Sequence, residues 1–510
     1  MIAFLVLSAG IAYFVSLPFA SLLQGANYNL STFARRAKRW IVLCAVSFLP
    51  FAAFAVTIRC FCRETIAFLL SLVLYATIGG FTIFLHKKMR LKMTYTDRLV
   101  RLLITATFLY VALFLPLRFF GWSILWTVLP ALSPLSLSLA AMIIAPFEKG
   151  NNARYLKKAK KVLDESNAIK IGITGSYGKT SVKNALEQLL SVKYETLASP
   201  ANYNTPLGVA KTLEQRTGKE EVLILEMGAR RRGDIRELCE LVNPGIGVIT
   251  GIAPQHLETF GSFDAILEEK GVIGEAVPTN GTVYYNLTDE KVRTLYDRRV
   301  GGKVGIGFEK AEWIIADLLV REGGTSFSLS QGGVKEVFTI PLFGTAAVVD
   351  FAIACAVAID LGVTAEAIRE RARRLAPAPH RFEVMKKGKV VVIDDSYNVN
   401  PVGAASALRS LDLFKGKRKI VYTSGIVELG KETEVWNRML GAQIAERCDL
   451  AIVGGGKYGD YVEQGIMLKN PLAAVMRVRD TEEASAAFRH LLKEGDVLLI
   501  MSDLPRDYLV

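Results

Sequence analysis

A glycine-rich turn, GSYGKT at 175–180, lies between a predicted buried strand at 168–174 and a predicted helix at about 180–190. Backbone N–H groups of such a turn, together with the helix N-terminus, hold phosphate oxygens. Lys179 would reach the β- and γ-phosphates, and the Thr180 hydroxyl would bind Mg²⁺. The general P-loop pattern has Gly where this chain has Ile173, so this is the shorter form of the loop. The turn predicts nucleotide binding, with a purely structural glycine turn as the alternative.

The elements around the turn predict a parallel sheet. Short apolar strands at 222–225 and 247–250 are separated by helical stretches, and this alternation is typical of a sheet covered by helices on both faces. Residues 281–345 are rich in Gly and β-branched residues and predict a meander, which a long apolar helix at 346–362 follows.

A second α/β alternation begins after a proline-rich joint at 376–379. Its predicted strands are 390–393, 420–423, 450–453 and 497–500. The chain therefore predicts an α/β fold in two parts, a central P-loop, parallel-sheet ATP-binding domain at 149–376 and a smaller α/β C-terminal domain at 377–510.

The first 148 residues differ from the rest of the chain in charge. They contain thirteen Lys and Arg against three Asp and Glu. Five apolar stretches are long enough, at about 20 residues each, to cross a membrane as helices. They lie at 2–24, 40–58, 65–85, 99–117 and 121–147.

Basic residues concentrate in alternate loops, at 25–39, 86–98 and 149–161, and basic loops remain cytoplasmic. This predicts an α-helical transmembrane domain of five spans at 1–148, with the N-terminus outside and the catalytic domains inside. The protein would be a multi-pass protein of a bacterial inner (cell) membrane, in contact with membrane lipids; a generic anchor is the alternative for this region. A basic excess between apolar runs is not the polar footprint of a nucleic-acid binder, so no nucleic-acid partner is expected.

The turn and a series of later motifs resemble the ATP-dependent Mur ligase family over about residues 165–440. The closest branch is the one that adds D-alanyl-D-alanine to the muramoyl tripeptide. The motifs keep the family's order: TGSYGKTS (174–181), NYNTPLG (202–208), EMGAR (226–230), TGI (250–252), HLE (256–258), FGS (260–262), KG (270–271), HRFE (380–383), DDSYNVNP (394–401) and ELG (428–430).

The resemblance implies a ligase that needs ATP and Mg²⁺. In the family a carboxylate is activated as an acyl phosphate, an amino group attacks it, and the tetrahedral intermediate collapses to the amide. Negative charge gathers between carboxylate and phosphates, so metal ions and cations stabilise the reaction. The chain would thus form a C–N bond between a peptidoglycan or other cell-envelope peptide precursor and an amino acid or dipeptide amine.

The resemblance also implies the metal ligands and the catalytic residues. Glu226 would bind Mg²⁺ through a hard carboxylate oxygen, His256 would bind the second metal ion, and Lys270 would be carbamylated to become a carboxylate-like ligand. The alternatives are a solvated Glu226, a structural His256 and a surface Lys270 paired with neighbouring Glu residues. The metal set is therefore Thr180, Glu226, His256 and Lys270, and the catalytic set is Lys179, Lys270 and His256.

Nucleotide and substrate contacts are implied in both domains. Arg381 and Asp395 would hold phosphate and ribose from the C-terminal domain, which would close over ATP. Asn398 and Asn400 would either contact a ligand or shape the loop before Pro401. The nucleotide set is Gly175, Ser176, Gly178, Lys179, Thr180, Ser181, Arg381 and Asp395, and the substrate set is Asn202, Asn204, Asn398 and Asn400.

The chain also departs from the family's pattern. Ala346, Ala347 and Asp350 occupy positions where the family has His-Asn and a further Asn near the adenine, so adenine recognition must differ. Five membrane spans stand where the family's UDP-binding domain is expected, which keeps a lipid-linked acceptor open as an alternative to a UDP-linked one. An ATP-driven transporter and a catalytically silent nucleotide sensor are the alternatives from other functional classes.

Overall fold

The structure is a computed structural model that describes residues 2–26, 28–34, 37, 38, 77, 80, 93–119, 133–201, 203–321, 324–397 and 399–502. The chain divides into two compact units, residues 1–154 and 155–510.

The described part of the first unit is helical. Its helices are α1 (Ile2–Gly25), α2 (Asp97–Phe119) and α3 (Ser133–Glu165), the last of which runs past the boundary between the units. Phe19, Leu23, Leu99, Leu102 and Leu137 form a small core in which apolar side chains of different helices bury one another. The apolar side chains of these described helices therefore pack against one another.

Among the described residues, no helix is long and apolar enough to span a lipid bilayer. The predicted five-span domain is therefore wrong as a fold class, and so is the inner-membrane location that depended on it. The span predicted at 40–58 lies outside the described residues, as do all but two residues of 65–85 and the part of the last span at 121–132. The prediction failed because apolar length alone does not distinguish a membrane span from a helix buried in a protein core.

The second unit has the predicted α/β character, with two sheets. The first sheet has nine strands in the order β2-β3-β1-β4-β5-β6-β7-β8-β9. Its strands are β1 (Ile169–Thr174), β2 (Thr196–Ala198), β3 (Val222–Glu226), β4 (Ile246–Ile249), β5 (Thr282–Asn286), β6 (Gly302–Gly307), β7 (Trp313–Arg321), β8 (Gly324–Gln331) and β9 (Val334–Ile340).

Parallel pairing sets the ends of the central strands level with one another. In β1, Ile171 pairs with Ile224 of β3 on one side and with Ile246 of β4 on the other. Strands β2 to β7 are parallel to their neighbours, and β7, β8 and β9 are antiparallel. The meander predicted at 281–345 therefore begins only at β7, because β5 and β6 extend the parallel sheet.

Helices cover the first sheet as strand–helix alternation requires. They are α4 (Lys179–Leu190), α5 (Pro206–Leu213), α6 (Asp234–Val242), α7 (Leu257–Phe260), α8 (Phe263–Ala276), α9 (Glu290–Arg298), α10 (Thr345–Asp360) and α11 (Ala365–Ala372). Helix α10 is buried along most of its length and packs against α4. An apolar composition all around the helix suits this position.

The second sheet has six strands in the order β10-β11-β15-β12-β13-β14, with β10 as an antiparallel edge strand. Its strands are β10 (Glu383–Lys387), β11 (Val390–Asp394), β12 (Lys419–Thr423), β13 (Leu450–Gly454), β14 (Val475–Val478) and β15 (Val497–Met501). Around it lie helices α12 (Pro401–Ser410), α13 (Thr433–Arg447), α14 (Lys457–Lys469) and α15 (Thr481–Leu491), with short 3₁₀ turns at Leu411–Leu413 and Gly430–Glu432.

The loop that follows β12 is held by one buried amide. Asn437, on α13, is fully buried; its Oδ1 accepts from Ile426 N at 2.7 Å, and its Nδ2 donates to the carbonyls of Ile426 at 2.9 Å and Thr433 at 2.8 Å. The backbone of this loop is therefore paired although it belongs to neither sheet nor helix.

We expect Asn437→Ala to lower the free energy of unfolding by about 3 kcal/mol, because it leaves buried backbone groups of Ile426 and Thr433 without partners. Urea unfolding followed by circular dichroism measures the change. Asn470→Ala is the matched control, since its amide oxygen accepts one hydrogen bond at an exposed helix end. Equal losses in the two variants would contradict this reading of Asn437.

Candidate functional site

The phosphate loop at 175–178 joins β1 to α4 at the carboxyl ends of the central strands. Gly178 has φ 80°, and a Cβ on it would lie 2.7 Å from Asp350 Oδ1, so the position favours glycine. Lys179 Nζ donates to the Gly175 carbonyl at 2.6 Å. Ser176 Oγ is buried and has no hydrogen-bond partner among the described residues. A buried hydroxyl left unpaired beside a helix N-terminus fits a phosphate ligand.

Glu226 is the centre of a polar cluster beside this loop. Its side chain is 3% exposed, so it is not a solvated residue at a strand end. Its carboxylate accepts from Thr180 Oγ1 at 2.9 Å and from Asn204 Nδ2 at 3.1 Å, and Lys183 Nζ lies 3.8 Å from Oε2. The structure therefore brings Thr180, Glu226 and Asn204 together.

The oxygens of Thr180 and Glu226 suit a magnesium ion. Within the described ranges, no three His, Cys, Asp or Glu side chains cluster as a metal centre. Protein-bound Mg²⁺ usually takes one or two carboxylates and completes its shell with waters and substrate phosphates. A hydroxyl and a carboxylate next to a phosphate loop therefore fit such an ion without further protein ligands.

Lys270, on α8, is 3% exposed, which excludes a place on the solvated helix surface. Burial, and after it the charge of Lys179, lower the pKa of its ammonium to about 7, although Glu269 acts in the opposite direction. Glu269 does not neutralise Lys270 by direct contact, because its carboxylate accepts the backbone N–H groups of Gly233 at 2.8 Å and Ile235 at 2.6 Å. Lys270 is thus enclosed among charged groups, with an amine that loses its proton easily.

His256 lies directly before α7, with φ 55°. Burial lowers the pKa of its imidazole, while the hydrogen bond and the charge of Glu428 raise it. Its Nδ1 is hydrogen-bonded to the Glu428 carboxylate, and the charge of Lys270 also acts on its pKa. His256 therefore contacts the C-terminal sheet domain directly and lies within electrostatic range of Lys270.

A cavity of about 130 Å³ lies between the two sheet domains of this unit. The phosphate loop contributes Tyr177 and Gly178, α4 contributes Ser181, and the C-terminal domain contributes Arg381 and Asp395. Predicted nucleotide-binding residues that are more than 200 positions apart in sequence, such as Gly178 and Arg381, thus line one cavity. Ala346, Ala347 and Asp350 of α10 also line it, as the family's adenine-side positions would.

Arg381 connects this cavity to Thr180, a predicted metal ligand. Its Nη2 lies 3.5 Å from Thr180 Oγ1, its guanidinium stacks on the Tyr397 ring at 4.2 Å, and its Nε is buried without a partner among the described residues. Burial raises the pKa of Asp395 to about 6, although Arg381 lowers it. Asn400 lines the cavity and also caps α12, where its Oδ1 accepts from Gly403 N at 3.0 Å.

Two predicted substrate residues, Asn202 and Asn398, lie outside the described residues. Three polar residues that the structure places here had no predicted role: Lys183, Asp289 and Glu428, the last of which stood only in the ELG motif. Lys183 follows Lys179 by one helical turn, a spacing that could have shown it. Asp289 accepts from Tyr177 Oη and Ile252 N, each at 2.8 Å, and no local pattern connects residues so far apart.

Asp350 is the unexpected group of the cavity. Burial raises the pKa of its carboxyl to about 8, while Ser181 and Arg381 lower it. At neutral pH it is therefore mostly uncharged, and an uncharged carboxyl offers one donor and one acceptor as an Asn side chain does. Its Oδ1 lies close to the phosphate loop at Gly178, where a negative charge would oppose bound phosphates.

Two family models match the chain, the Mur ligase middle domain at residues 173–358 and the Mur ligase, glutamate ligase domain at 380–504. The UDP-N-acetylmuramoyl-tripeptide–D-alanyl-D-alanine ligase of Mycobacterium bovis is 30% identical over 357 residues, which are 65% of this chain and 69% of that protein. The ligase of the same name from Bacillus subtilis is 26% identical over 343 residues, 67% of this chain and 74% of that protein. Among solved structures, the MurF ligase of Thermotoga maritima in complex with ADP has a TM-score of 0.63 at 26% identity, covering 69% of this chain and 80% of that one.

Nucleotide affinity is expected to fall between pH 7 and pH 9, because ionisation of Asp350 places a negative charge beside the phosphate loop. A like-charge contact of about 1 kcal/mol corresponds to about a fivefold weaker affinity for ADP. Titration calorimetry at both pH values measures it. Burial lowers the pKa of Lys179 to about 8. Loss of its positive charge above that pH therefore also lowers nucleotide affinity, and it does so equally in the wild type and in Asp350 variants. The matched control is therefore Asp350→Asn, which should show a shallower decline; parallel curves would contradict the role of Asp350.

Proposed function

The chain belongs to the Mur ligase family, and we propose that it joins D-alanyl-D-alanine to a UDP-linked muramoyl tripeptide. It is an ATP- and Mg²⁺-dependent ligase that forms a C–N bond on a peptidoglycan precursor. The relatives' names support the choice of both substrates. As proposed boundaries, residues 149–376 form the ATP-binding domain and 377–510 the C-terminal domain.

ATP supplies the phosphoryl group that activates the substrate carboxylate as an acyl phosphate, and Mg²⁺ neutralises the charge of the phosphates. The loop residues Gly175, Ser176 and Gly178 bind the phosphates through N–H groups and the unpaired Ser176 hydroxyl. Lys179 exchanges the Gly175 carbonyl for a phosphate oxygen, because a cation gains more from the charged partner. Ser181 lies one residue beyond Thr180, on the cavity side of α4.

Thr180 and Glu226 hold the metal ion beside the phosphates. Lys183 and Asn204 keep the Glu226 carboxylate in place, so that little reorganisation is needed when the ion binds. Asn204 thereby acts through Glu226, and a direct contact of Asn202, Asn204, Asn398 or Asn400 with the tripeptide stays a prediction.

Arg381 and Asp395 act from the C-terminal domain. The Arg381 guanidinium, with a free Nε and a fixed stacking partner in Tyr397, binds phosphate oxygens. Asp395, which lies beside it in the cavity, accepts a hydrogen bond from a ribose hydroxyl. Binding of ATP between the domains keeps water away from the activated carboxylate.

His256 and Lys270 bind the second metal ion. The uncharged amine of Lys270 attacks carbon dioxide, an N–C bond forms and a proton is released, which leaves a carbamate with two oxygen donors. Burial supports this step, because a lysine with a pKa of about 7 is about half uncharged at neutral pH, whereas an exposed lysine is almost entirely charged. Lys179 then supplies positive charge to the reacting phosphates, and His256 and carbamylated Lys270 supply metal ligands.

The observation that carries the proposal is the buried Glu226 carboxylate, hydrogen-bonded to Thr180 beside a phosphate loop, with Lys270 enclosed nearby. The purified full chain, given ATP, Mg²⁺, UDP-muramoyl tripeptide and D-alanyl-D-alanine, should release one phosphate for each amide formed. Lys179→Ala should lower this rate by about 100-fold or more, whereas Lys219→Ala, in an exposed turn, should not change it. Phosphate release that ignores the amine, or turnover of a lipid-linked acceptor alone, would contradict the proposal.

Lys270→Ala should lose ligase activity, and acetate or propionate should restore part of it, because a small carboxylate supplies the oxygen ligands of the missing carbamate. Ligase rate with and without the added acid is the measurement. Glu268→Ala is the control on the same helix, since the Glu268 side chain is 60% exposed. A Lys270→Ala enzyme as fast as the wild type would exclude the metal-binding role.

A further inference from the structure

One direct contact links the predicted second-metal ligand to the C-terminal domain. His256 lies in the ATP-binding domain, and its Nδ1 is hydrogen-bonded to the carboxylate of Glu428, which follows β12 in the C-terminal domain. The two side chains are 19% and 23% exposed. The contact is therefore largely shielded from water, where a hydrogen bond to a carboxylate has more effect on geometry.

The backbone on both sides of this contact adopts an uncommon conformation. His256 has φ 55° and Glu428 has φ 60°, in the left-handed region that residues with a Cβ seldom occupy. Such conformations are retained where the surrounding structure holds them, and they concentrate at functional sites. Both partners of this hydrogen bond have such a conformation. This indicates that the backbone of each domain is shaped to make the contact.

The loop that carries Glu428 is fixed from behind. Asn437 pairs both backbone groups of Ile426, and Thr433 Oγ1 donates to the Gly430 carbonyl at 2.7 Å. Gly430 is packed closely on α7, because a Cβ on it would lie 3.5 Å from Glu258 N. Glu428 therefore presents its carboxylate from a rigid support rather than from a free loop.

A carboxylate can only accept a hydrogen bond, so the ring nitrogen that faces it must carry the proton. This requirement places the proton of a neutral imidazole on Nδ1 and leaves the lone pair on Nε2. Metal-binding histidines commonly donate their other ring N–H to a carboxylate, which fixes the ring and strengthens the ligand. The contact thus selects the form of His256 that can bind a metal ion.

We infer that Glu428 is a positioning residue that orients His256 for the second metal ion, so that docking of the C-terminal domain completes the metal site. The inference rests on the proposed function. ATP binds between the two domains, and Glu428 of the C-terminal domain orients His256 of the ATP-binding domain. Binding of ATP and binding of the second metal ion therefore both favour the arrangement in which the two domains are closed. Arg230, whose Nη1 lies 4.0 Å from Glu428 Oε1, adds a weaker charge contact from the ATP-binding domain.

The test measures Mn²⁺ binding to the full chain saturated with β,γ-methylene-ATP, by electron paramagnetic resonance of the free ion. Glu428→Ala should weaken binding of the second Mn²⁺ by about 10-fold or more. Glu428→Gln should weaken it less, because the amide oxygen still accepts from Nδ1–H. Glu432→Gln is the matched control on the same loop, where the Glu432 carboxylate accepts from Trp436 Nε1 at 2.7 Å and has no contact with His256 among the described residues.

A second comparison isolates the path through His256. In a His256→Ala background, Glu428→Ala should cause no further loss of Mn²⁺ affinity, because the group that Glu428 orients is absent. An additional loss there would contradict a role through His256. Tighter Mn²⁺ binding in Glu428→Ala would also overturn the inference, since Glu428 would then compete with the metal ion for the ring.

The two proposals fail in different ways in this experiment. A wild-type chain that binds neither the ATP analogue nor Mn²⁺ would contradict the proposed function itself. A wild-type chain that binds two Mn²⁺ ions, with Glu428→Ala and Glu428→Gln both equal to it, would contradict only the positioning role of Glu428. Melting temperatures of the variants show that each is folded under the assay conditions.

Discussion

The buried carboxylate of Glu226 is the constraint around which the site is arranged. A charge that is removed from water must be met by hydrogen bonds and opposite charge. Three residues from two segments supply them: Thr180 and Lys183 from the first turns of α4, and Asn204 from the loop before α5. The start of α4, the end of β3 and the loop before α5 are therefore held together around this carboxylate. Parallel pairing of β1 with β3 and β4 makes this possible, because it brings the carboxyl ends of the three strands to one edge of the sheet.

The site is divided between two domains, and this division has a physical consequence. The ATP-binding domain holds the loop, Glu226 and Lys270, whereas Arg381, Asp395 and Glu428 come from the other side of the cavity. Each domain is a complete α/β sheet with its own buried strands, so each can keep its residues in place while the distance between them changes. Such an arrangement allows the enzyme to bind substrates in an open state and to exclude water in a closed one.

Buried titratable groups show how the environment suits this site for phosphate chemistry. Burial disfavours the ionised form of both Lys270 and Asp350, so that at neutral pH about half of Lys270 and most of Asp350 is uncharged. For Lys270 the result is a reactive amine, and for Asp350 it is a polar side chain that does not repel phosphates. The neutral form of Asp350 depends on its complete enclosure in the cavity.

The sequence by itself determined the strand–loop–helix unit at 169–190 and the two α/β alternations, and it predicted the candidate site residues, because these follow from short-range patterns and ordered motifs. It misjudged the first 148 residues, since apolar length is shared by membrane spans and by helices such as α1 and α2 that bury one another. Only the tertiary structure decided that Lys270 is enclosed, that Lys183 lies 3.8 Å from the Glu226 carboxylate, and that Glu428 contacts His256, 172 positions away in sequence. Burial and long-range contact depend on how distant segments pack, and no local spacing of residue types encodes them.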